Sequence, residues 1–478
     1  MNLSLLAPEL WMIALSSLVL LIDFVWPQFS KKALAYFSIF GMAAICLLLI
    51  CMSNGLVSET TFGTMFVLDP FAVFFKIFIL GSTILAVLAS IQSVERLPHF
   101  RGEYYYLFLF SALGMMFMVS ANDFLSLFIT LEFSTFGFYI LVAYFRDDVR
   151  SNEAGIKFFI LGVLTAAFIA FGISLIYGST GTILFSEIAV FPNKQSVGFI
   201  VGLLFILIGI GFKIGAVPFH AWIPDVYQGS PTPVTAYLSI VPKAAALCLF
   251  LRMVFVMLLD FRSDWGWLIA AISICSMTYG NITAIAQKNM KRLLAYSGIA
   301  QIGNVLIGVA AGSKMGADSV LFYLLTYLFA NLGAFVVVII YENQTAKDGI
   351  DDLSGLARRS PLLAFAMLVF LLSLAGVPPL AGFIGKVYVF AAAVEQGYIL
   401  LVTVGLINVV ISFYYYLIVV KKIYSVAPEE TTAIHLELPL RVVLYVGIIG
   451  VLWLGMWPKP FIDFSVSATK ALTTAWIP

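Results

Sequence analysis

Four ionisable side chains lie deep inside long apolar stretches, where a charge is costly. Glu132 is about ten residues, or about 15 Å along a helix, into its apolar run. Lys213, Lys243 and Lys386 lie in three later runs. A charge at the centre of a bilayer costs about 2.5–3.5 kcal/mol on insertion scales, so such residues usually have a function. Since a desolvated amine without a counter-charge readily gives up its proton, these types of residue can carry protons.

The composition places these charges in a membrane protein. The 478 residues are 62% apolar and 11% charged, with a net charge of +1. Soluble domains are about 45–50% apolar and about 25% charged, so a soluble enzyme, a disordered chain and a disulfide-built secreted scaffold are excluded. The balanced charge does not indicate nucleic-acid binding. The four cysteines are scattered, which argues against an iron–sulfur or zinc site: Cys46, Cys51, Cys248 and Cys275.

Fourteen apolar runs are long enough to cross the hydrocarbon core, which takes about 20 helical residues. They predict an all-α, multi-pass membrane protein with spans at roughly 8–26, 33–53, 69–91, 103–120, 122–145, 152–177, 197–219, 232–257, 264–286, 294–312, 319–341, 361–395, 399–421 and 438–457. The predicted loops on one side hold fifteen Lys and Arg residues, against five on the other. Because basic loops stay on the cytoplasmic side, both termini are expected outside.

Two of these spans are interrupted. GIGFKIGAVPFH (209–220) in the seventh and AGVPPLAGFIGK (375–386) in the twelfth each contain glycines, proline and one lysine. Transporters place such broken helices at corresponding points of two halves. The two broken helices are five spans apart, so they cross the membrane in opposite directions. Spans 4–8 and 9–13 are therefore expected to be inverted five-helix repeats, each with one broken helix. The single membrane domain, 1–478, then divides into a three-helix segment, two repeats and a C-terminal helix: 1–100, 101–257, 258–425 and 426–478.

The central charges favour a proton relay over a structural ion pair. An ion pair that only fastens helices is the alternative, but one acid faces three central lysines and leaves amines unmatched. A contact between Glu132 and Lys213 at about 4 Å is worth about 4 kcal/mol at an effective dielectric of about 20. Making or breaking it is enough to carry a desolvated Lys213 from mostly neutral to mostly charged at about pH 7. Lys76 and Lys157 lie nearer helix ends and can reach an interface, so structural and functional roles stay open for both.

Three longer segments resemble a known family. PFHAWIPDVYQGSPTPVTAYLSIVPKAAA (218–246), KRLLAYSGIAQIGN (291–304) and GVPPLAGFIGK (376–386) are similar to the antiporter-like membrane subunits of respiratory complex I. The resemblance extends over residues 100–425, approximately. It implies a proton-translocating, multi-pass subunit of a NADH:quinone oxidoreductase in a bacterial inner membrane.

The resemblance also assigns residues. The family's glutamate in the fifth helix matches Glu132, and its lysines in the broken seventh, the eighth and the broken twelfth helices match Lys213, Lys243 and Lys386. Lys386 is then on the exit side of the proton path, and the Glu132–Lys213 pair is the gate of that path. The tenth and thirteenth spans hold no charge, so the path there is expected to use water and polar groups: Ser297, Gln301, Asn304, Asn408 and Ser412. The full set of candidate relay residues is Glu132, Lys213, Lys243, Lys386, His220 and Lys157.

Partners follow from the same resemblance. No cofactor or metal is expected on this chain, whereas NADH, FMN, iron–sulfur clusters and quinone are expected in partner subunits that transfer the electrons. A second antiporter-like subunit and small membrane subunits are expected to flank the chain in the lipid bilayer. Three alternatives stay open: a subunit of an Mrp-type cation/proton antiporter, a membrane subunit of an energy-converting hydrogenase, and a purely structural scaffold. The DVYQGSPTPV segment and the lysine of span twelve favour complex I.

Overall fold

The computed structural model describes residues 2–53, 55–97, 101–192, 194, 196–258, 262–428 and 432–473. Within these ranges, twelve helical segments are long and apolar enough to cross a membrane. Two shorter apolar helices, Glu103–Val119 and Pro361–Ala375, accompany them. The predicted class of helical, multi-pass membrane protein is therefore confirmed.

The N-terminal segment is three helices and a hairpin. A short 3₁₀ turn, Leu3–Leu6, leads into α1 (Ala7–Val25), α2 (Lys31–Ser53) and α3 (Pro70–Glu95). Between α2 and α3, strands β1 (Glu59–Thr61) and β2 (Phe66–Leu68) pair antiparallel, with Glu59 opposite Leu68. Asp69 then starts α3, because its side chain accepts a hydrogen bond from the Ala72 N–H at 2.7 Å, as expected of an N-cap.

The first half of the core contains three continuous helices followed by two interrupted ones. Its elements are α4 (Glu103–Val119), α5 (Phe124–Val142), α6 (Val149–Thr180), α7 (Phe185–Ala189), α8 (Val197–Ile214), α9 (Trp222–Gly229), α10 (Thr232–Leu238) and α11 (Val241–Arg252). A π-helical turn, Met253–Met257, follows α11. The eighth span, predicted as one helix, is divided between α10 and α11. Prolines in the first turns of both pieces suit helix starts.

The second half consists mainly of long helices, with a break between its fourth and fifth long segments, α16 and α17. Its elements are α12 (Arg262–Ile285), α13 (Met290–Ala311), α14 (Lys314–Thr345), α15 (Leu356–Arg359), α16 (Pro361–Ala375), α17 (Ala381–Glu395) and α18 (Ile399–Ser425). Two helices complete the chain, α19 (Leu438–Met456) and α20 (Lys459–Thr473).

Helices α13 and α14 occupy the centre of the molecule. Nearly all of their residues are buried, whereas only 28% of the α6 span is buried. Side-chain caps fix where both central helices begin, since Asn289 accepts from the Arg292 N–H and Ser313 accepts from the Gly316 N–H. Polar side chains in the middle of these two helices, such as Gln301 and Asn331, are therefore buried among neighbouring helices.

Candidate functional site

The chain leaves α8 through a left-handed turn. Gly215 has a φ of 77°, a conformation that glycine adopts without strain. Its N–H donates to the carbonyls of Gly211 and Phe212 at 2.9 and 3.1 Å, and the Ala216 N–H donates to the Gly211 carbonyl at 2.9 Å. These are the hydrogen bonds of a glycine-capped helix end. The break therefore places Lys213 in the last turn of α8.

Lys213 faces a carboxylate and a hydroxyl on α5. Its Nζ lies 3.4 Å from Glu132 Oε1 and donates to Thr135 Oγ1 at 2.7 Å. Glu132 is close to the middle of the 19-residue α5, and 17% of its side chain stays exposed. The contact expected between Glu132 and Lys213 is thus present, while its part in proton transfer stays a prediction.

Lys243 has no such partner. It lies in the first turn of α11 and is 1% exposed, and its Nζ has no hydrogen-bond partner among the residues that the structure describes. The ring of Tyr227 lies 5.5 Å from this Nζ. The Lys243 Cε is 3.9 Å from the point where a Cβ on Gly215 would lie, so the first break and the lysine of the eighth span adjoin each other.

The second break repeats the backbone of the first. Gly376 has a φ of 88°, and its N–H donates to the Leu372 and Ser373 carbonyls, both at 3.0 Å. The Val377 N–H donates to the Leu372 carbonyl at 3.0 Å. The same glycine-capped end therefore terminates α16 before Pro378 and Pro379.

Lys386 returns from α17 to the end of α16. Its Nζ donates to the carbonyls of Leu374 and Ala375, both at 2.9 Å, and the residue is 4% exposed. The carboxyl end of a helix carries partial negative charge, which stabilises a cation there. Lys386 is therefore compensated by backbone dipoles, whereas Lys213 is compensated by a carboxylate.

A polar network extends from Lys386 into α13. The Leu374 carbonyl that Lys386 binds also accepts from Gln301 Nε2 at 2.9 Å. The Gln301 Oε1 accepts from the Tyr323 hydroxyl and lies 3.3 Å from Asn304 Nδ2. Two of the polar groups expected along the path, Gln301 and Asn304, are thus joined to the second break.

The network continues to α18 and α12. The Ser297 hydroxyl bonds to the Tyr416 hydroxyl, and the Tyr415 ring lies 4.4 Å from the Tyr416 ring. Tyr415 in turn donates to Asn281 Oδ1 at 3.0 Å, and Asn281 Nδ2 lies 3.1 Å from Asn408 Oδ1. Ser297 and Asn408 therefore belong to two buried groups of hydrogen bonds, which the packed rings of Tyr415 and Tyr416 join.

Two candidates lie outside this set. His220 is half-buried, and its ring packs against the Tyr279 ring at 4.5 Å. Ser412 donates to the carbonyl of Val409 in its own helix. Among the described residues, neither side chain therefore bonds directly to any of the four central charged groups.

Lys157 lies at one end of the bundle rather than at its centre. It contacts Glu153 and Asp225, both at 2.7 Å, and Arg292 Nη1 reaches the same Asp225 at 2.8 Å. Burial opposes ionisation of Asp225, but hydrogen bonds from Lys157 and Arg292 outweigh it and hold the pKa of this carboxyl below its usual value. Beside them is a cavity of about 270 Å³, lined by Arg150, Glu153, Ala154, Lys157, Asp225, Gln228 and Gly229.

Sequence reasoning missed two further ion pairs. Lys76 does not reach an interface, and that expectation is wrong: it is fully buried and lies 2.6 Å from Glu9. Arg252 makes two hydrogen bonds to Asp69, at 2.8 and 3.1 Å. These pairs join helices that are distant in sequence, so no local pattern marks them. The one available signal in the sequence was Glu9, an acid close to the start of an apolar run.

The chain resembles known proteins over almost all of its length. The sequence model of the NADH:quinone oxidoreductase/Mrp antiporter transmembrane family matches residues 121–412. NADH-quinone oxidoreductase subunit N of Paramagnetospirillum magneticum is 41% identical, over 98% of this chain and 97% of that protein. A chain of respiratory complex I from Thermus thermophilus is 31% identical, with a TM-score of 0.82 over 95% of this chain and 98% of that one.

The fold alone is shared more widely. A chain of the Mrp complex from a Dietzia species has a TM-score of 0.88 over 100% of this chain and 98% of that one, but only 20% identity. The identity to subunit N is twice as high and extends over nearly full length. The chain therefore belongs to the NADH-quinone oxidoreductase subunit N family.

Proposed function

We propose that this chain translocates protons within a membrane-bound NADH:quinone oxidoreductase complex. The observation that carries the proposal is the series of buried amines with three different surroundings. Lys213 has a carboxylate, Lys386 has two backbone carbonyls, and Lys243 has no hydrogen-bond partner within the described part of the chain. A proton on Lys243 is thus the least stabilised of the three.

The proposed relay is switched at the first break. While Glu132 contacts Lys213, the charge of this lysine is balanced. Turning Glu132 away breaks an attraction of about 4 kcal/mol, for a contact at about 4 Å and an effective dielectric of about 20. The unbalanced Lys213 ammonium then repels a proton held at Lys243. The proton then moves toward Lys386 and the outside. When Glu132 returns, Lys243 takes up the next proton from the other side.

A partner subunit drives this switch through the exposed face of α5. Ile129, Phe133 and Phe136 are exposed on the same helix as Glu132, and 17% of the Glu132 side chain is itself exposed. A carboxylate facing lipid at this depth is unfavourable. We therefore place a partner membrane subunit on this face, with a polar or basic group that competes with Lys213 for Glu132.

The proposed topology has fourteen crossings. Helix α4 and the broken α16–α17 pair add two spans to the twelve long segments in the described ranges. The excess of Lys and Arg in alternate loops supports an outside location for both termini. The identical glycine caps at Gly215 and Gly376 support two inverted repeats, α4 to α11 and α12 to α18.

Electron transfer is assigned to partner subunits. Among the described residues, no three His, Cys, Asp or Glu side chains are grouped so that they could hold a metal ion. We propose that NADH, FMN, iron–sulfur clusters and quinone bind to other subunits, which include a second antiporter-like subunit and small membrane subunits. That this chain has no redox centre stays a prediction.

The test is proton pumping by inverted membrane vesicles that contain the whole complex. Glu132→Ala and Lys386→Ala are expected to abolish NADH-driven proton uptake, while NADH oxidation with an artificial electron acceptor shows that the complex is assembled. Lys421→Ala, which changes an exposed lysine, is the matched control. If either relay variant pumps normally, the proposal is wrong. If a Na⁺ gradient rather than NADH drives proton movement, the Mrp-type antiporter becomes the correct assignment.

A further inference from the structure

A buried tyrosine of α14 lies between Lys243 and the network of Lys386. Tyr327 is 3% exposed, and its hydroxyl has no hydrogen-bond partner in the described ranges. An unpaired buried hydroxyl costs about 1–3 kcal/mol, and phenylalanine would fill the same space without that cost. The hydroxyl therefore needs a partner that is not a protein group.

One side of this hydroxyl faces Lys243 across a glycine. A Cβ on Gly298 would lie 2.9 Å from the Tyr327 hydroxyl and 3.5 Å from Lys243 Nζ. Both polar atoms therefore point at the space that the missing side chain leaves open. A buried water needs two to four polar partners, and these two groups, neither of which has another hydrogen-bond partner among the described residues, satisfy that condition.

The other side of Tyr327 faces the second break. A small cavity of about 10 Å³ is lined by Tyr327, Gln301, Tyr323, Thr326, Ala330, Ser373, Leu374 and Gly382. That volume is close to the room that one water molecule requires. Gln301 and Leu374 are the groups that connect to Lys386, so Tyr327 borders both the Lys243 side and the Lys386 side.

We propose that Tyr327 relays the proton between Lys243 and Lys386. The proton leaves the Lys243 ammonium for a water over Gly298, and that water protonates the Tyr327 oxygen. The proton that Tyr327 already carried passes to a water beside Gln301 and then to the Lys386 amine. Lys243 ends neutral, Lys386 ends charged, and Tyr327 is unchanged. This inference rests on the proposed function, because it adds a residue to the same relay.

The first test is Tyr327→Phe in the assembled complex. The substitution removes one oxygen and no packing volume, and loss of a proton-transfer group is expected to slow NADH-driven proton uptake about tenfold or more. Tyr104→Phe is the matched control, since its hydroxyl is also buried and without a partner among the described residues, but lies in α4. The solvent deuterium isotope effect on pumping is expected to rise only in Tyr327→Phe. Normal pumping by Tyr327→Phe, or an equal loss in both variants, would overturn the inference.

A second pair of variants keeps the test decisive if Tyr327→Phe fails to assemble. Gly298→Ala fills the shared space and is expected to reduce pumping to a similar extent, whereas Gly178→Ala, where a Cβ meets no atom within 4 Å, leaves it unchanged.

Lys243→Met separates the two proposals. If Lys243→Met still pumps, the relay itself is wrong. If Lys243→Met stops pumping but Tyr327→Phe and Gly298→Ala do not, only the role of Tyr327 is wrong.

Discussion

The two helix breaks share a backbone and differ in how they hold an amine. Gly215 and Gly376 both have positive φ, and both cap the preceding helix with the same three backbone hydrogen bonds. At the first break the lysine precedes the glycine and pairs with Glu132 on another helix. At the second break, Lys386 follows the glycine and binds the end of α16, the helix before the break.

The difference shows where the relay can be controlled. A carboxylate side chain can rotate away from its lysine, but the Leu374 and Ala375 carbonyls are fixed in the backbone. The first break is therefore suited to switching and the second to receiving a proton. A repeated backbone motif has thus acquired two functions through the choice of the neighbouring side chain.

Removing the partner at each break should have unequal effects on stability. Glu132→Gln leaves Lys213 with neutral acceptors and no counter-charge, and breaking a buried ion pair costs about 3–5 kcal/mol. Lys386→Met removes the donor of the Ala375 carbonyl, which costs about 1–3 kcal/mol, whereas the Leu374 carbonyl keeps its hydrogen bond from Gln301. Thermal inactivation of NADH:quinone activity in detergent-solubilised complex measures both. Equal losses at the two breaks would contradict the comparison.

The hydroxyl at the first break is expected to contribute less than the carboxylate. Thr135→Val keeps the shape and removes the group that accepts from Lys213 at 2.7 Å. A hydrogen bond to a charged group is worth about 1.5–3 kcal/mol, so the pumping rate should fall but not vanish. Thr130→Val is the control, because Thr130 bonds to carbonyls of its own helix. Identical pumping by the two variants would show that Thr135 does not support Lys213.

The glycine of the second break can be tested against another left-handed glycine. Gly376→Ala imposes a backbone cost of about 1–2 kcal/mol and also places a Cβ 2.9 Å from Lys386 Cδ. Gly397 also has a positive φ, but no atom lies within 4 Å of the Cβ that Gly397→Ala would add. The structure predicts a loss of thermal stability in both, larger in Gly376→Ala because of its contact with Lys386, and a loss of pumping in Gly376→Ala alone. A loss of pumping in both would remove the role assigned to the Lys386 contact.

The smallest effect is expected from the charges at the end of the bundle. Since contacts with Lys157 and Arg292 lower the pKa of Asp225, its contribution is fully present above the unfolded pKa of about 3.9 and is lost as the pH falls through the folded value. The contribution of such a partly exposed group is below about 1 kcal/mol. Unfolding temperatures measured from pH 7 to pH 3 should show a smaller acid-induced decrease in Asp225→Asn than in the exposed-site control Asp147→Asn. An unchanged pH profile in Asp225→Asn would contradict this assignment.

Local patterns predicted the parts of the site that depend on neighbouring residues. Glycine and proline beside a lysine indicate both breaks, and an acid in the middle of an apolar run singles out Glu132. The pairing of Glu9 with Lys76 could not be predicted, because it joins α1 to α3, which are separated in sequence by α2 and the hairpin. Tyr327 was missed for another reason: a tyrosine in an apolar helix looks like core packing until its unpaired hydroxyl is seen.

The most direct test of the relay is Lys243→Met in proteoliposomes that contain the purified complex. Methionine keeps the length of the side chain and cannot carry a proton, so NADH oxidation should no longer acidify the vesicle lumen. Electron transfer from NADH to an artificial acceptor should continue at the rate of the unmodified complex. Lumen acidification at the unmodified rate in this variant would contradict the account, because the proton would then cross without the central amine.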